Sequence, residues 1–313
     1  MIRTEGLTKT FDGDKKTGKI TAVDRLDLDV KQGEVFGFLG PNGAGKTTTV
    51  RMLCTLIGAT AGQAWVNDLE VGKDDMAIRA SVGILTEQPG MYDRLSAEKN
   101  LDIYARLYGV PDPAGQVEKY LRMLDLWERR RDPAGSFSKG MKQKLAIARA
   151  LIHDPEILFL DEPTAGLDPE ASEDVILYLQ KYIKDGKRTV FLCSHRLDEV
   201  ERLSQAIAII YQGHILANGT IEELRSQLWK EKFYSIRLIE ARDDFVAALK
   251  HEKYISQVVR REQEIGLAVV TGTDIARAIR LLVNIGAEIL SVQEEEHSLK
   301  DIYFAIVPKG NHE

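Results

Sequence analysis

The chain has 313 residues, 44% of them hydrophobic and 29% charged, with a formal net charge of −6. At about 150 residues per domain the length predicts two domains, and the composition is that of a soluble globular chain able to bury a sizeable core. The negative balance argues against a general nucleic-acid binder, which needs a basic face for phosphates, although local basic patches stay open.

The opening MIRTEGLTKT lacks the apolar core of a signal peptide. No run approaches the roughly 18 apolar residues of a membrane span. Any membrane is therefore expected to be reached through a partner. Cys54 and Cys193 are the two cysteines, each in an apolar stretch without a second ligand nearby. They read as buried reduced thiols of a cytosolic protein, not as a disulfide or metal site.

In chain order, TAVDRLDLDV alternates Leu26, Leu28 and Val30 with Arg25, Asp27 and Asp29. That period of two predicts a half-buried strand of an antiparallel sheet. EVFGFLG is short, continuous and aromatic, as a parallel strand covered on both faces would be. It runs into GPNGAGKTT, where Gly40 to Thr47 match G-x-x-x-x-G-K-[ST] between a strand and the helical pattern TTTVRMLCTLIG. Glycines there let successive N–H groups converge on a β-phosphate. Lys46 would bring a point charge to the β- and γ-phosphates, and Thr47 would ligate Mg²⁺.

SAEKNLDIYARLYG and SKGMKQKLAIARALIHD predict further helices, the second ending at Asp154 before Pro155. Ser138 at the start of the second is both a helix cap and, beside Gly140, a seat for a phosphate. ILFLDEP places Asp161 and Glu162 at the mouth of a buried strand, the edge where open parallel sheets bind ligands. Asp161 can hold the Mg²⁺ shell, and Glu162 can orient and deprotonate an attacking water. SEDVILYLQKYIKDG predicts a helix ending at Gly186. TVFLCSH then brings His195 to the same sheet edge, placed for a γ-phosphate contact.

After the polar helical stretch IEELRSQLWKEK the rhythm changes. From about Phe233 the pattern reads strand, helix, two strands, helix, strand and a last helix that Ser298 and Asp301 can cap. The expected division is 1–220, a linker helix at 221–232, and a small α+β domain of ferredoxin-like type at 233–313.

Together these residues resemble the ATP-binding subunit of ABC transporters over roughly residues 1 to 220. GPNGAGKT resembles that family's phosphate loop (Gly40, Pro41, Asn42, Gly43, Ala44, Gly45, Lys46 and Thr47, with Thr48 following), and ILFLDE its magnesium strand. AGLD, ending at Asp168, resembles the D-loop, and Ser194-His195 the histidine switch. Phe11 in LTKTFDG sits where an aromatic stacks on adenine, or is a core residue at a strand end. FSKGM occupies the position of the signature L-S-G-G-Q. Where the family carries a glutamine that helps bind the metal, this chain offers Glu87 and then Gln88. Lys139 departs from the signature, and either adds charge there or points to solvent.

The signature, EQPGMYDRLSAEKNL and the extra C-terminal domain resemble the ABC-2 type exporter branch. The resemblance implies an α/β P-loop NTPase core with an antiparallel β subdomain and a helical insert at about 87–140. It also implies an ATP- and Mg²⁺-dependent ATPase with Lys46, Glu162 and His195 catalytic and Thr47, Asp161 and Gln88 at the metal. Ser138 and Gly140 would complete the site of a second copy. The implied partners are that copy and a separate integral-membrane permease, at the cytoplasmic face of the membrane. The rival expectation is a soluble ABC-type ATPase acting on nucleic acid or ribosomes. Such proteins carry paired ATPase units or a long coiled-coil insertion, and neither is present in this sequence.

Overall fold

The structure is a computed structural model that describes residues 1–13, 18–86, 90–184, 188–270, 272 and 274–308. The chain divides into two compact units, Met1–Ile221 and Glu222–Glu313. Glu87, Gln88 and Gly186 lie outside the described residues.

The first unit begins with β1 (Ile2–Asp12) and β2 (Lys19–Val30), paired antiparallel. Leu26, Leu28 and Val30 are buried while Arg25, Asp27 and Asp29 are exposed, so the period of two becomes one covered and one wet face. β3 (Val35–Leu39) leads to α1 (Lys46–Leu53), after which β4 (Ala61–Val66) and β5 (Leu69–Glu70) complete a sheet ordered β2-β1-β4-β5. α2 (Asp75–Ser81) and β6 (Val82–Leu85) precede three helices, α3 (Ala97–Leu107), α4 (Pro113–Met123) and α5 (Lys139–Leu151). β7 (Ile157–Asp161), α6 (Pro169–Ile183), β8 (Thr189–Ser194), α7 (Leu197–Leu203), β9 (Ala206–Tyr211) and β10 (His214–Thr220) follow.

The larger sheet runs β10-β9-β3-β8-β7-β6, with β10 its antiparallel edge and the other pairings parallel. Every residue of β3, β7 and β8 is buried, which explains why these segments read as continuous apolar runs. Phe191 stands opposite both Phe36 and Phe159 in register, with ring centroids 5.6 Å away in each case, and Phe38 is 5.2 Å away. Burying each such side chain contributes about 1.5–3 kcal/mol. The cluster ties β3, β7 and β8 together, so their C-terminal ends reach one edge.

Local chemistry departs from the sequence expectation at α1. Periodicity extends the helix to Gly58, but it stops at Leu53. Thr55 turns left-handed at φ 58°, its N–H bonds Met52 O, and Leu56 N–H bonds Arg51 O. That double closure is a Schellman ending built on a threonine. Periodicity gives no warning of α2, α4 or α7. For α4 the missed signal is Asp112-Pro113: Asp112 accepts from Gly115 N–H, and Pro113 takes the first helical position, where no donor is lost.

α8 (Ile221–Leu228), all but its first residue in the second unit, precedes β11 (Lys232–Leu238), α9 (Asp243–Lys250), β12 (Ile255–Arg261), β13 (Glu264–Val269), α10 (Ile275–Asn284), β14 (Ile289–Glu295) and α11 (Leu299–Ile306). The sheet order β12-β13-β11-β14, all antiparallel, is the split β-α-β arrangement of ferredoxin-like folds. Ile236, Leu238, Ile265 and Leu267 pack with Phe245, Leu249 and Leu282 in its core. Ser298 and Asp301 form a reciprocal capping box at α11.

Candidate active site

The C-terminal ends of β3, β7 and β8 frame a cleft of about 390 Å³. Its lining includes Pro41, Asn42, Gly43, Gly45, Lys46, Thr47 and Thr48 from the β3–α1 loop, Glu162 and Ala165 after β7, and His195 after β8. The loop needs its glycines for separate reasons. A Cβ on Gly40 would run into the Ile210 carbonyl, and Gly45 caps α1 at φ 112°, a left-handed conformation closed to most side chains. Among the described residues the N–H groups of Gly43, Gly45, Lys46 and Thr47 have no protein acceptor. They and the positive end of α1 form a ready anion seat.

Lys46 is 6% exposed, and its ammonium donates to Gly40 O at 2.7 Å and Pro41 O at 3.2 Å. It also lies 3.6 Å from Glu162 Oε1. The other oxygen, Glu162 Oε2, accepts from His195 Nδ1 at 2.8 Å. An ionised carboxylate can only accept, so the imidazole proton sits on Nδ1. Glu162 Oε1 is buried and accepts no hydrogen bond among the described residues. One carboxylate oxygen is therefore engaged by the histidine, while the other keeps its lone pairs beside an ammonium. The pairing of His195 with Glu162 is absent from the sequence reading, which assigned each its own partner. Glu162 also has φ 54°, in the left-handed region, a conformation that costs a non-glycine residue about 1–3 kcal/mol.

Asp161 is 2% exposed at the end of β7. Burial pushes the Cys54 and Cys193 thiols well up, and the Asp161 charge pushes both further. Among the described residues no three His, Cys, Asp or Glu side chains converge to hold a metal.

Among the described residues, Phe11, Ser138, Gly140 and Asp168 are not part of the cleft lining. Phe11 is 41% exposed on β1, with Lys9 Nζ 5.1 Å from its ring centroid, and does not line the cleft. Ala22 of β2 does. Asp168 caps α6 by accepting from Ala171 N–H at 2.8 Å. Ala44 is buried, its carbonyl accepting from Gly213 N–H. Ser138 caps α5, accepting from Met141 N–H at 3.2 Å, and is exposed. Gly140 is buried: a Cβ there would come within 2.9 Å of Ala171 Cβ on α6. Lys139 Nζ fills the space where a Gly166 side chain would project, with Gly166 itself at φ 65°. Its ammonium thus lies against the turn before α6, on a residue that stays exposed.

Residues 23–165 match the family model of ABC transporters. The bacitracin transport ATP-binding protein BcrA of Bacillus licheniformis is 34% identical over 310 residues, covering 99% of this chain and 98% of that protein. The chain belongs to the ABC transporter ATP-binding proteins. The linearmycin resistance ATP-binding protein LnrL of Bacillus subtilis is 32% identical, with 97% of each chain covered. A solved dimeric bacterial ABC transporter cassette matches with a TM-score of 0.64 and 25% identity, over 71% of this chain and 99% of that one. The protein is thus an ABC ATPase of the exporter type, with a P-loop NTPase core.

Proposed function

We propose that this subunit binds ATP in the β3–α1 cleft and hydrolyses it within a head-to-tail pair of copies, so driving export through a separate integral-membrane permease. The observation that carries this reading is the state of Glu162: one oxygen on His195 Nδ1, the other buried, without a hydrogen bond and 3.6 Å from Lys46. A carboxylate so placed can take a proton from water while the histidine holds its orientation. The unpartnered N–H groups of the loop and the Lys46 ammonium stabilise negative charge on the transferred phosphoryl group.

Mg²⁺ fits the donors present. The Thr47 hydroxyl and the buried Asp161 carboxylate are hard oxygen ligands, and two such protein ligands leave most positions to water and phosphate, as Mg²⁺ prefers. When bound, it would neutralise phosphate charge and polarise the leaving oxygen. Gln88, the third ligand expected from the sequence, lies outside the described residues.

Ser138 and Gly140 would serve the cleft of a second copy. Ser138 is exposed at the start of α5 and away from its own cleft lining, which suits a group offered outward. The solved cassette that this chain resembles is dimeric. A permease partner would place the protein at the cytoplasmic face of a membrane. Among the described residues no helix is long and apolar enough to cross one. The relatives act in bacitracin transport and linearmycin resistance, which makes an antibiotic-type cargo the first to assay.

Replacing Glu162 with Gln removes the base and keeps the shape. Nucleotide binding should persist, turnover should fall at least about 100-fold, and ATP should trap a dimer visible by light scattering. Wild-type turnover in that variant would contradict the role of Glu162. Stimulation by RNA or ribosomes in place of a membrane protein would favour the rival function.

A further inference from the structure

Behind the cleft lies a carboxylate that the reaction does not touch. Glu199, on α7, is 2% exposed. Its two oxygens lie 2.7 and 2.6 Å from Thr164 Oγ1, which donates to them, and Oε1 pairs with Arg196 Nη1 at 2.8 Å. Thr164 is two residues past Glu162, and Arg196 immediately follows His195. One buried side chain thus grips the segment that carries each member of the Glu162–His195 pair. Arg196 is held in turn: its Nη1 donates to Ser172 Oγ at 3.3 Å and its N–H to Ser194 Oγ at 3.0 Å. On the far side of the same turn, Gln143 Nε2 donates to Pro163 O at 2.6 Å.

The arrangement has a purpose beyond stability. With the Glu199 side chain 3% exposed and that of Arg196 36%, the pair is a poor source of stability, because the cost of taking the carboxylate out of water offsets much of the attraction. Burial does push the Glu199 carboxyl up, against the opposing pull of Thr164 and Arg196. Meanwhile Glu162 keeps a left-handed backbone at φ 54°. Such a conformation persists only where the surroundings over-determine it. Glu162 N–H bonds Cys193 O, Glu162 O accepts from Ala165 N–H, and the anchors that follow along the chain are Pro163 O on Gln143 and Thr164 Oγ1 on Glu199.

We infer that Glu199 is a positioning residue, which holds the strained Glu162 turn and the His195 segment in one register so that the two side chains meet. This rests on the reading of Glu162 and His195 as the water-activating pair. Glu199 is buried and is not part of the cleft lining. Its loss would loosen both segments while leaving the phosphate loop as it is.

The test uses the purified full chain, measuring ATP turnover against ATP concentration, binding of a fluorescent ATP analogue, and thermal melting. Thr164→Val removes the hydroxyl and keeps the shape, whereas Thr164→Ser keeps the hydroxyl. Glu199→Gln removes the charge. Thr164→Val and Glu199→Gln should each lower kcat about 10- to 100-fold, as misplacement of a reacting group by about 1 Å does. KM and analogue affinity should stay within about twofold, because binding energy common to ground and transition states is untouched. Thr164→Ser should recover most of the rate, and the double variant should be no slower than the slower single one. Should Glu199→Gln not fold, Thr164→Val against Thr164→Ser carries the same comparison. Wild-type kcat in folded Thr164→Val, or a loss confined to KM, would overturn the inference. Glu162→Gln, run alongside, keeps the two readings separable: if it turns over at the wild-type rate, the assignment of Glu162 fails, and with it the role of Glu199.

Discussion

Two helix starts in the first unit look alike in sequence, each a serine- or glycine-bearing turn ahead of an apolar pattern, yet they are built differently. α1 begins at Gly45 with no side-chain cap, and its first residue, Lys46, is buried. α5 begins at Ser138, which caps its own helix, and both Ser138 and Lys139 are exposed. Neither has an acidic residue in its first turn, unlike α7 with Asp198 and Glu199 or α9 with Asp243 and Asp244. Both therefore leave the positive end of the helix dipole unmasked. The uncapped start suits a ligand that the chain encloses itself. The self-capped start has its Met141 N–H held by Ser138 without any ligand, so it can wait at the surface for one that arrives with another copy.

The comparison breaks first at Ser138. Ser138→Arg puts a long side chain at the outward start alone. Analogue binding to the monomer should be unchanged, while turnover should fall by about 100-fold, the scale on which lost donors to a developing charge act. A collapse of monomer binding would mean that both starts serve one site.

Gly140 tests what its glycine is for. The Ala171 contact means that Gly140→Val overpacks α5 against α6, and such changes cost about 1–3 kcal/mol. A lower urea midpoint at unchanged slope is expected. An unshifted midpoint would remove the packing explanation and leave phosphate access as the reason for the glycine.

The smallest effect concerns the loop that ends α5. Burial pushes the Asp154 carboxyl up, but hydrogen bonds from Tyr120, Lys119 and Gln116 outweigh it and hold the group below its ordinary value of 3.8. A depressed carboxyl contributes stability that is present above its ordinary value and lost as pH falls through the folded one. Wild type should therefore lose more stability than Asp154→Asn as pH drops below about 4. Parallel acid curves from thermal melts would contradict this.

Legibility from sequence followed the range of the interaction. The phosphate loop, the carboxylates after β7 and the histidine after β8 are each local, since a strand mouth and a few residues set them. The half-buried β2 and the box at Ser298 and Asp301 are local as well. What stayed hidden depends on which segments meet. Gly140 reads as a phosphate seat, and its packing against Ala171 on α6 shows only in the structure. Lys139 reads as a free surface cation until Gly166 is seen beneath it. Glu199, in RLDEVERL, has the look of a solvated helix residue, and its only sequence trace is Arg196 three positions earlier. Phe11 is the opposite case: its position in the pattern points to adenine, while the structure leaves it beside Lys9 and off the cleft lining.

The most direct measurement mixes two inactive chains. Lys46→Ala disables the inward start, and Ser138→Arg disables the outward one. In a head-to-tail pair of one copy each, the intact Lys46 of the second chain meets the intact Ser138 of the first, and one whole site is restored. Each variant alone should show little turnover, and their mixture should recover a clear fraction of the wild-type rate. A mixture no faster than its separate components would contradict a site shared between two copies.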